Sequence, residues 1–248
     1  MAVSKELNIV MKSFLKTCDI PAESATYLET GLLYGDSIQS ALELNWKKII
    51  SIDINKSFID NSTQRFKNEI KNSKVLLVHG DSQEKIKEIF DQSINIFYLD
   101  AHQNIVDEAT IAPLENEIKF LLNNITEKQL ILIDDFHKIK YSFLFSNRVG
   151  SWKSKLAYKK FQEIISAKGL NTFEVYSSEK GFCYLALTKN KNFKMGIIFN
   201  LKNLIFKFYI LFWFYHQKKV VSVMFKRFII FLLPHQLYIF LKKYYKKI

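Results

Sequence analysis

Asp53, Asp81, Asp100 and Asp134 each close a short apolar run: ISID, KVLLVHGD, INIFYLD and QLILID. Runs of this length, rich in β-branched and aromatic residues, read as strands buried on both faces, with helical segments between them. The four acids therefore converge on one rim, the carboxyl edge where open α/β sheets bind ligands. A carboxylate there can accept ribose hydroxyls, orient a ligand or take a proton from an acceptor.

A glycine turn precedes the first of these acids. Tyr27 to Asn55 reads as strand, turn, helix and second strand, with Gly31 and Gly35 bracketing a turn where a side chain would obstruct a ligand. The helix starting near Asp36 or Ser37 aims its free N–H groups into the same space. Asp53 lies 22 residues after Gly31, a spacing that suits a nucleoside cofactor. A GxGxxG fingerprint is absent, because Leu33 stands where its second glycine would be, and Glu29 adds negative charge that disfavours a diphosphate.

The ends of the later strands hold further candidates. Asp100, His102, Asp134, Asp135 and His137 could act as general bases, or together hold a divalent cation, Mg2+ or Mn2+, that lowers the pKa of an acceptor hydroxyl. The competing reading is that the carboxylates cap loops and that His137 is a solvated loop residue. His79, one residue before a turn glycine, reads as structural.

The pattern Glu29-x-Gly31-x-x-x-Gly35-x-Ser37 resembles the first motif of class I S-adenosylmethionine-dependent methyltransferases. FYLDAH at 97–102, PLENEI at 113–118 and LILIDDFH at 130–137 are similar to a branch of that family with LDAH, PL-x-x-E and IDD blocks, a resemblance covering about residues 25 to 188. It implies a Rossmann-like doubly wound, mostly parallel sheet and S-adenosylmethionine as cofactor. By that likeness Glu29, Gly31, Gly35 and Ser37 belong to the turn at the methionine moiety, Asp53 to the ribose, Asp81 with Ser82 to the adenine edge, and Asp100 to the methyl donor. The chain lacks the Asn/Asp-Pro-Pro-Tyr block of enzymes that methylate base nitrogens. In metal-dependent O-methyltransferases an Asp-Asn pair follows the fifth strand, and Asp134-Asp135 would correspond to it, with Asp100 as the third ligand.

These residues need elements to position them, and the rest of the chain supplies them. Residues 1–24 form a flank with an amphipathic helical run, VSKELNIVMKSFLKTC, and no apolar signal-peptide centre. Residues 25–190 hold the sheet, finished by an antiparallel hairpin of Thr172–Tyr176 and Gly181–Thr188, with 142–154 as a long loop after the fifth strand. Cys18 and Cys183 are isolated and fit a reducing cytoplasm.

Residues 191–248 form a basic amphipathic helical tail. From Lys180 onward the chain carries 14 of its 36 bases and none of its 24 acids, so the net charge of +12 comes from the tail. In the last segment Lys242, Lys243, Lys246 and Lys247 face away from Leu237, Tyr238, Leu241, Tyr244, Tyr245 and Ile248, as in a helix lying in an anionic membrane surface. Packing against the core or a second copy is the alternative reading, and nucleic acid ranks last because apolar residues outnumber groups that contact phosphate.

The sequence thus predicts a cytoplasmic methyltransferase, peripheral at the inner face of a membrane, that O-methylates a small-molecule or glycan hydroxyl such as that of a lipid-linked sugar. Its rivals are a nucleic-acid-binding protein using the basic tail and a catalytically silent Rossmann-like membrane scaffold.

Overall fold

The computed structural model describes residues 4–101, 113–136, 162–166, 169–177, 183–196, 200, 203–205 and 207–208. The expected loop at 142–154, His102, His137 and most of the tail lie outside these residues.

The helix α1 (Lys5–Thr17) opens the described chain, capped by the Ser4 side chain, which accepts from the Leu7 amide at 3.3 Å. Its apolar stripe, Leu7, Val10, Met11, Phe14 and Leu15, is buried at the helical spacing of three and four. The apolar side of this flank helix thus joins the core cluster of the sheet.

Then follow β1 (Thr26–Thr30), α2 (Asp36–Leu42), β2 (Lys48–Asp53), α3 (Lys56–Arg65), α4 (Lys67–Lys71), β3 (Val75–His79), α5 (Ser82–Ile89) and β4 (Ile94–Leu99). The order is completed by α6 (Leu114–Asn124), β5 (Leu130–Ile133), β6 (Asn171–Tyr176) and β7 (Cys183–Thr188). The strands form one sheet in the order β3-β2-β1-β4-β5-β7-β6. The first five are parallel, β6 and β7 form the predicted antiparallel hairpin, and β7 inserts antiparallel between β5 and β6. This is the expected Rossmann-like α/β fold. The order reverses between β1 and β4, and such a reversal opens a crevice at the carboxyl ends of the strands.

Register puts the rim in one row. Thr30 pairs with Ile52 on one side and Leu99 on the other, and Leu99 pairs with Ile133. One residue further on, each strand is pinned to its neighbour. Gly31 donates to the Ile52 carbonyl at 2.8 Å, Asp100 to that of Thr30 at 3.0 Å, and Asp134 to that of Leu99 at 3.0 Å. Asp53, Gly31, Asp100 and Asp134 thus stand side by side across four strands. On one face below them lie Tyr27, Glu29, Ser51 and Tyr98; on the other are Thr30, Ile52, Leu99 and Ile133.

The core continues past the sheet. Phe193 is fully buried, edge-on to Phe14 and Phe173 at centroid distances of 5.3 and 5.2 Å, and Met195 is buried beside it. At the outer strand, Asn203 takes the place of a neighbouring strand: its Oδ1 accepts from the Tyr176 amide at 2.6 Å and its Nδ2 donates to the Glu174 carbonyl. The first compact unit accordingly runs to Asn203, beyond the boundary predicted at 190. Of the second unit, from Leu204, the described residues are Leu204, Ile205, Lys207 and Phe208, all helical. Among the described residues no helix is long and apolar enough to cross a membrane.

Candidate functional site

The turn after β1 is shaped by the chain's own packing. Gly31 has φ +90°, and a Cβ on it would lie 2.5 Å from the Asp100 carbonyl oxygen, so the glycine admits the end of β4 rather than merely clearing a ligand. Gly35, at φ +78°, would drive a Cβ to 2.7 Å from the Phe66 ring. Between them Leu33 adopts φ +48°, a conformation that costs a branched side chain about 1–2 kcal/mol. Asp53 offsets this strain, because its Oδ2 accepts from the Leu33 amide at 3.0 Å while its Oδ1 accepts from the Asn55 amide at 2.7 Å. Arg65 closes the turn from α3, donating to the Tyr34 carbonyl at 2.6 Å and to Asp36 Oδ1 at 3.0 Å.

Glu29 and Ser37 lie beneath the turn and are buried. Glu29 accepts from the Ser51 hydroxyl at 2.7 Å and from the Tyr27 hydroxyl at 3.1 Å. Burial raises its pKa to about 7, against the opposing pull of the Ser51, Ser37 and Tyr27 hydroxyls. Its place in the structure is that of an internal strut, one row below the rim.

On the far side of the crevice Asp81 caps α5, its Oδ1 accepting from the Gln83 amide at 2.9 Å, and Ser82 is buried behind it. Ile54, directly after Asp53, is 58% exposed, and Tyr34 is 65% exposed and edge-on to Phe58 at 5.5 Å. The sequence reading passed over both. An exposed apolar side chain beside a carboxylate at a strand end was the signal available. His79 Nε2 lies 3.2 Å from the Ile54 carbonyl oxygen, in keeping with a structural role.

Asp100, Asp134 and Asp135 come together on the β4–β5 side. Asp100 has its pKa raised well above the ordinary carboxylate value, first by burial and then by the negative charges of Asp134 and Asp135. The expected cation site is not assembled, however. Asp134 accepts at Oδ2 from the Tyr98 hydroxyl at 2.5 Å and at Oδ1 from the Asp135 amide at 2.6 Å, so its carboxylate serves the sheet interior. Asp135 sits at φ +50° and is buried. Among the described residues no group of three or more acids, histidines or cysteines is placed to hold a metal ion. His102 and His137 lie outside the described residues.

No family model and no curated protein matches the sequence. Solved structures do resemble it. A putative caffeoyl-CoA O-methyltransferase from Staphylococcus aureus is 14% identical with a TM-score of 0.52, over 76% of this chain and 85% of that one. A Podospora anserina methyltransferase bound to S-adenosylhomocysteine is 14% identical with a TM-score of 0.51, over 71% and 76%. An rRNA methylase from Streptococcus thermophilus is 10% identical with a TM-score of 0.52, over 76% and 99%. The fold is that of Rossmann-like methyltransferases.

Proposed function

We propose that this chain is an S-adenosylmethionine-dependent methyltransferase of the branch carrying the LDAH, PL-x-x-E and IDD blocks, and that it methylates a hydroxyl. The observation that carries the reading is the row of Asp53, Gly31 and Asp100 at the switch point of the sheet, flanked by Asp81. The residues present suit a nucleoside cofactor. Asp53 is held by two backbone amides with oxygen lone pairs left for ribose hydroxyls, Ile54 offers an apolar surface to a flat base, and Asp81 with the start of α5 offers polar groups at the base edge.

When bound, the cofactor would supply an electrophilic methyl group, and the protein's work is then alignment and removal of the acceptor proton. Asp100 is the base favoured here: a carboxyl whose pKa is raised by burial and by Asp134 and Asp135 holds a proton more readily than an ordinary aspartate. His102 and His137 are the alternative bases. No step is assigned to a metal ion, because among the described residues no three acids, histidines or cysteines are placed to hold one, and Asp134 is buried against Tyr98.

The acceptor is read as a sugar or lipid-linked glycan, from the basic aromatic tail and the missing base-methylation block. The tail would bring the enzyme to an anionic membrane surface. Isothermal titration with S-adenosylmethionine, S-adenosylhomocysteine and NAD tests the cofactor: micromolar binding of the first two and none of NAD is expected, and comparable binding of NAD overturns the reading.

A further inference from the structure

Glu117 is the fifth residue of the PLENE block and lies in the first turn of α6, only 1% exposed. It faces the sheet surface opposite Glu29. Its carboxyl looks toward the hydroxyls of Ser82, at the start of α5, and Thr30, the last residue of β1. Neither meets it in a hydrogen bond of normal geometry: both Glu117 oxygens and the Thr30 hydroxyl are buried without one. One residue earlier, Asn116 Nδ2 donates to Gln83 Oε1 at 2.5 Å, tying α6 to α5 beside the same spot. A buried carboxyl in this state is costly unless it answers a need of its surroundings.

Those surroundings are the two segments the cofactor would touch. Thr30 runs directly into Gly31, and Ser82 directly follows Asp81. We propose that Glu117 is a cofactor-positioning residue, whose buried carboxyl sits between Thr30 and Ser82 from below and so sets the spacing between the glycine turn and the start of α5. This role rests on the cofactor reading above. The charge on Glu117 is finely balanced: burial raises its pKa to about 7, the Ser82 and Thr30 hydroxyls pull it down, and Asp81 pushes it up. The other charges on the two helices pair along their outer sides, Lys85 with Glu88, Lys87 with Glu84 and Lys119 with Glu115. A nucleoside that covers the exposed Asp81 takes it out of water and strengthens its push on Glu117, which favours the protonated form, so binding takes up a proton and weakens as pH rises.

Titration of S-adenosylhomocysteine into the full chain from pH 6 to pH 8 tests this. The wild type should weaken by about three- to tenfold across that window. Glu117→Gln, which mimics the protonated acid, should match the wild type at pH 6 and stay flat to pH 8. Thr30→Val, which removes a hydroxyl that favours the charge, should move the step to higher pH, and it serves if the Gln variant does not fold. A wild type without a step, or a step that persists unchanged in Glu117→Gln, overturns the proposal while leaving the cofactor reading intact. A wild type that binds no S-adenosylhomocysteine at any pH overturns both.

Discussion

The Tyr98 hydroxyl donates to Asp134 across 2.5 Å, joining the middle of β4 to the residue just beyond β5. Both lie on one face of the sheet, and the bond turns the Asp134 carboxylate down that face. Tyr98→Phe removes the donor and leaves a buried acid short of a partner. Urea unfolding should show a loss of about 1–3 kcal/mol. An unchanged midpoint would mean that the bond does not hold Asp134.

Stability should fall from pH 5 to pH 8 through Glu29. Its folded-state pKa is raised from 4.5 to about 7, so the folded chain holds this proton more tightly than the unfolded one. The stabilisation is complete below the unfolded value and is lost as pH rises through the folded one, up to about 3 kcal/mol at 1.36 kcal/mol per unit. Glu29→Gln should flatten this part of the profile, measured by denaturant unfolding at each pH; a slope equal to the wild type's would refute the assignment.

Gly31→Ala should be worse tolerated than Gly35→Ala. The first sets a methyl group 2.5 Å from the backbone oxygen of Asp100, whose amide is tied to the Thr30 carbonyl, whereas the second meets the edge of the Phe66 ring at 2.7 Å. Both also carry the left-handed cost of about 1–2 kcal/mol. Thermal unfolding of the two variants gives the ranking, and the reverse order would count against the packing described for the turn.

Asp53→Ala should lose both the ribose contacts and the support of Leu33. Its affinity for S-adenosylhomocysteine should drop by about 1–3 kcal/mol. Asp53→Asn keeps one acceptor oxygen and should lie between alanine and wild type. Equal affinity in all three removes Asp53 from the site.

Truncation separates the core from the tail at a defined place. A chain ending at Asn203 should keep the wild-type unfolding transition, whereas one ending at Asn190 loses Phe193, Met195 and the Asn203 bonds and should be destabilised by about 3–5 kcal/mol or more. If the tail seeks membranes, the full chain sediments with anionic vesicles and the chain ending at Asn203 does not. Supernatant in both cases ends the membrane reading.

The strands and their terminal acids were legible because period and composition report burial directly: INIFYL and LILI are buried at every residue, as their apolar runs require. Asp53 and Gly31 were legible because a turn glycine and an acid at the next strand end are local signals. Glu117 was not, since its burial depends on α6 lying over Thr30 and Ser82, distant in sequence. Nor was the fate of Asp134, whose pairing with Tyr98 depends on the β4–β5 register. Strand periodicity ends near 190, yet Phe193, Met195 and Asn203 complete the unit through side chains that leave no periodic trace.

The pairing of Asn203 with β6 also bears on how the chain is made. During synthesis the five parallel strands emerge first, leaving β5 with an open flank until β7 arrives, and the Glu174–Tyr176 end of β6 stays unpaired until residue 203 has cleared the ribosome. An uncovered strand is a template for another chain. One amide side chain therefore acts as the last stitch of biosynthesis, and a nascent protein halted before it would be the form most prone to pair with its neighbours on a polysome.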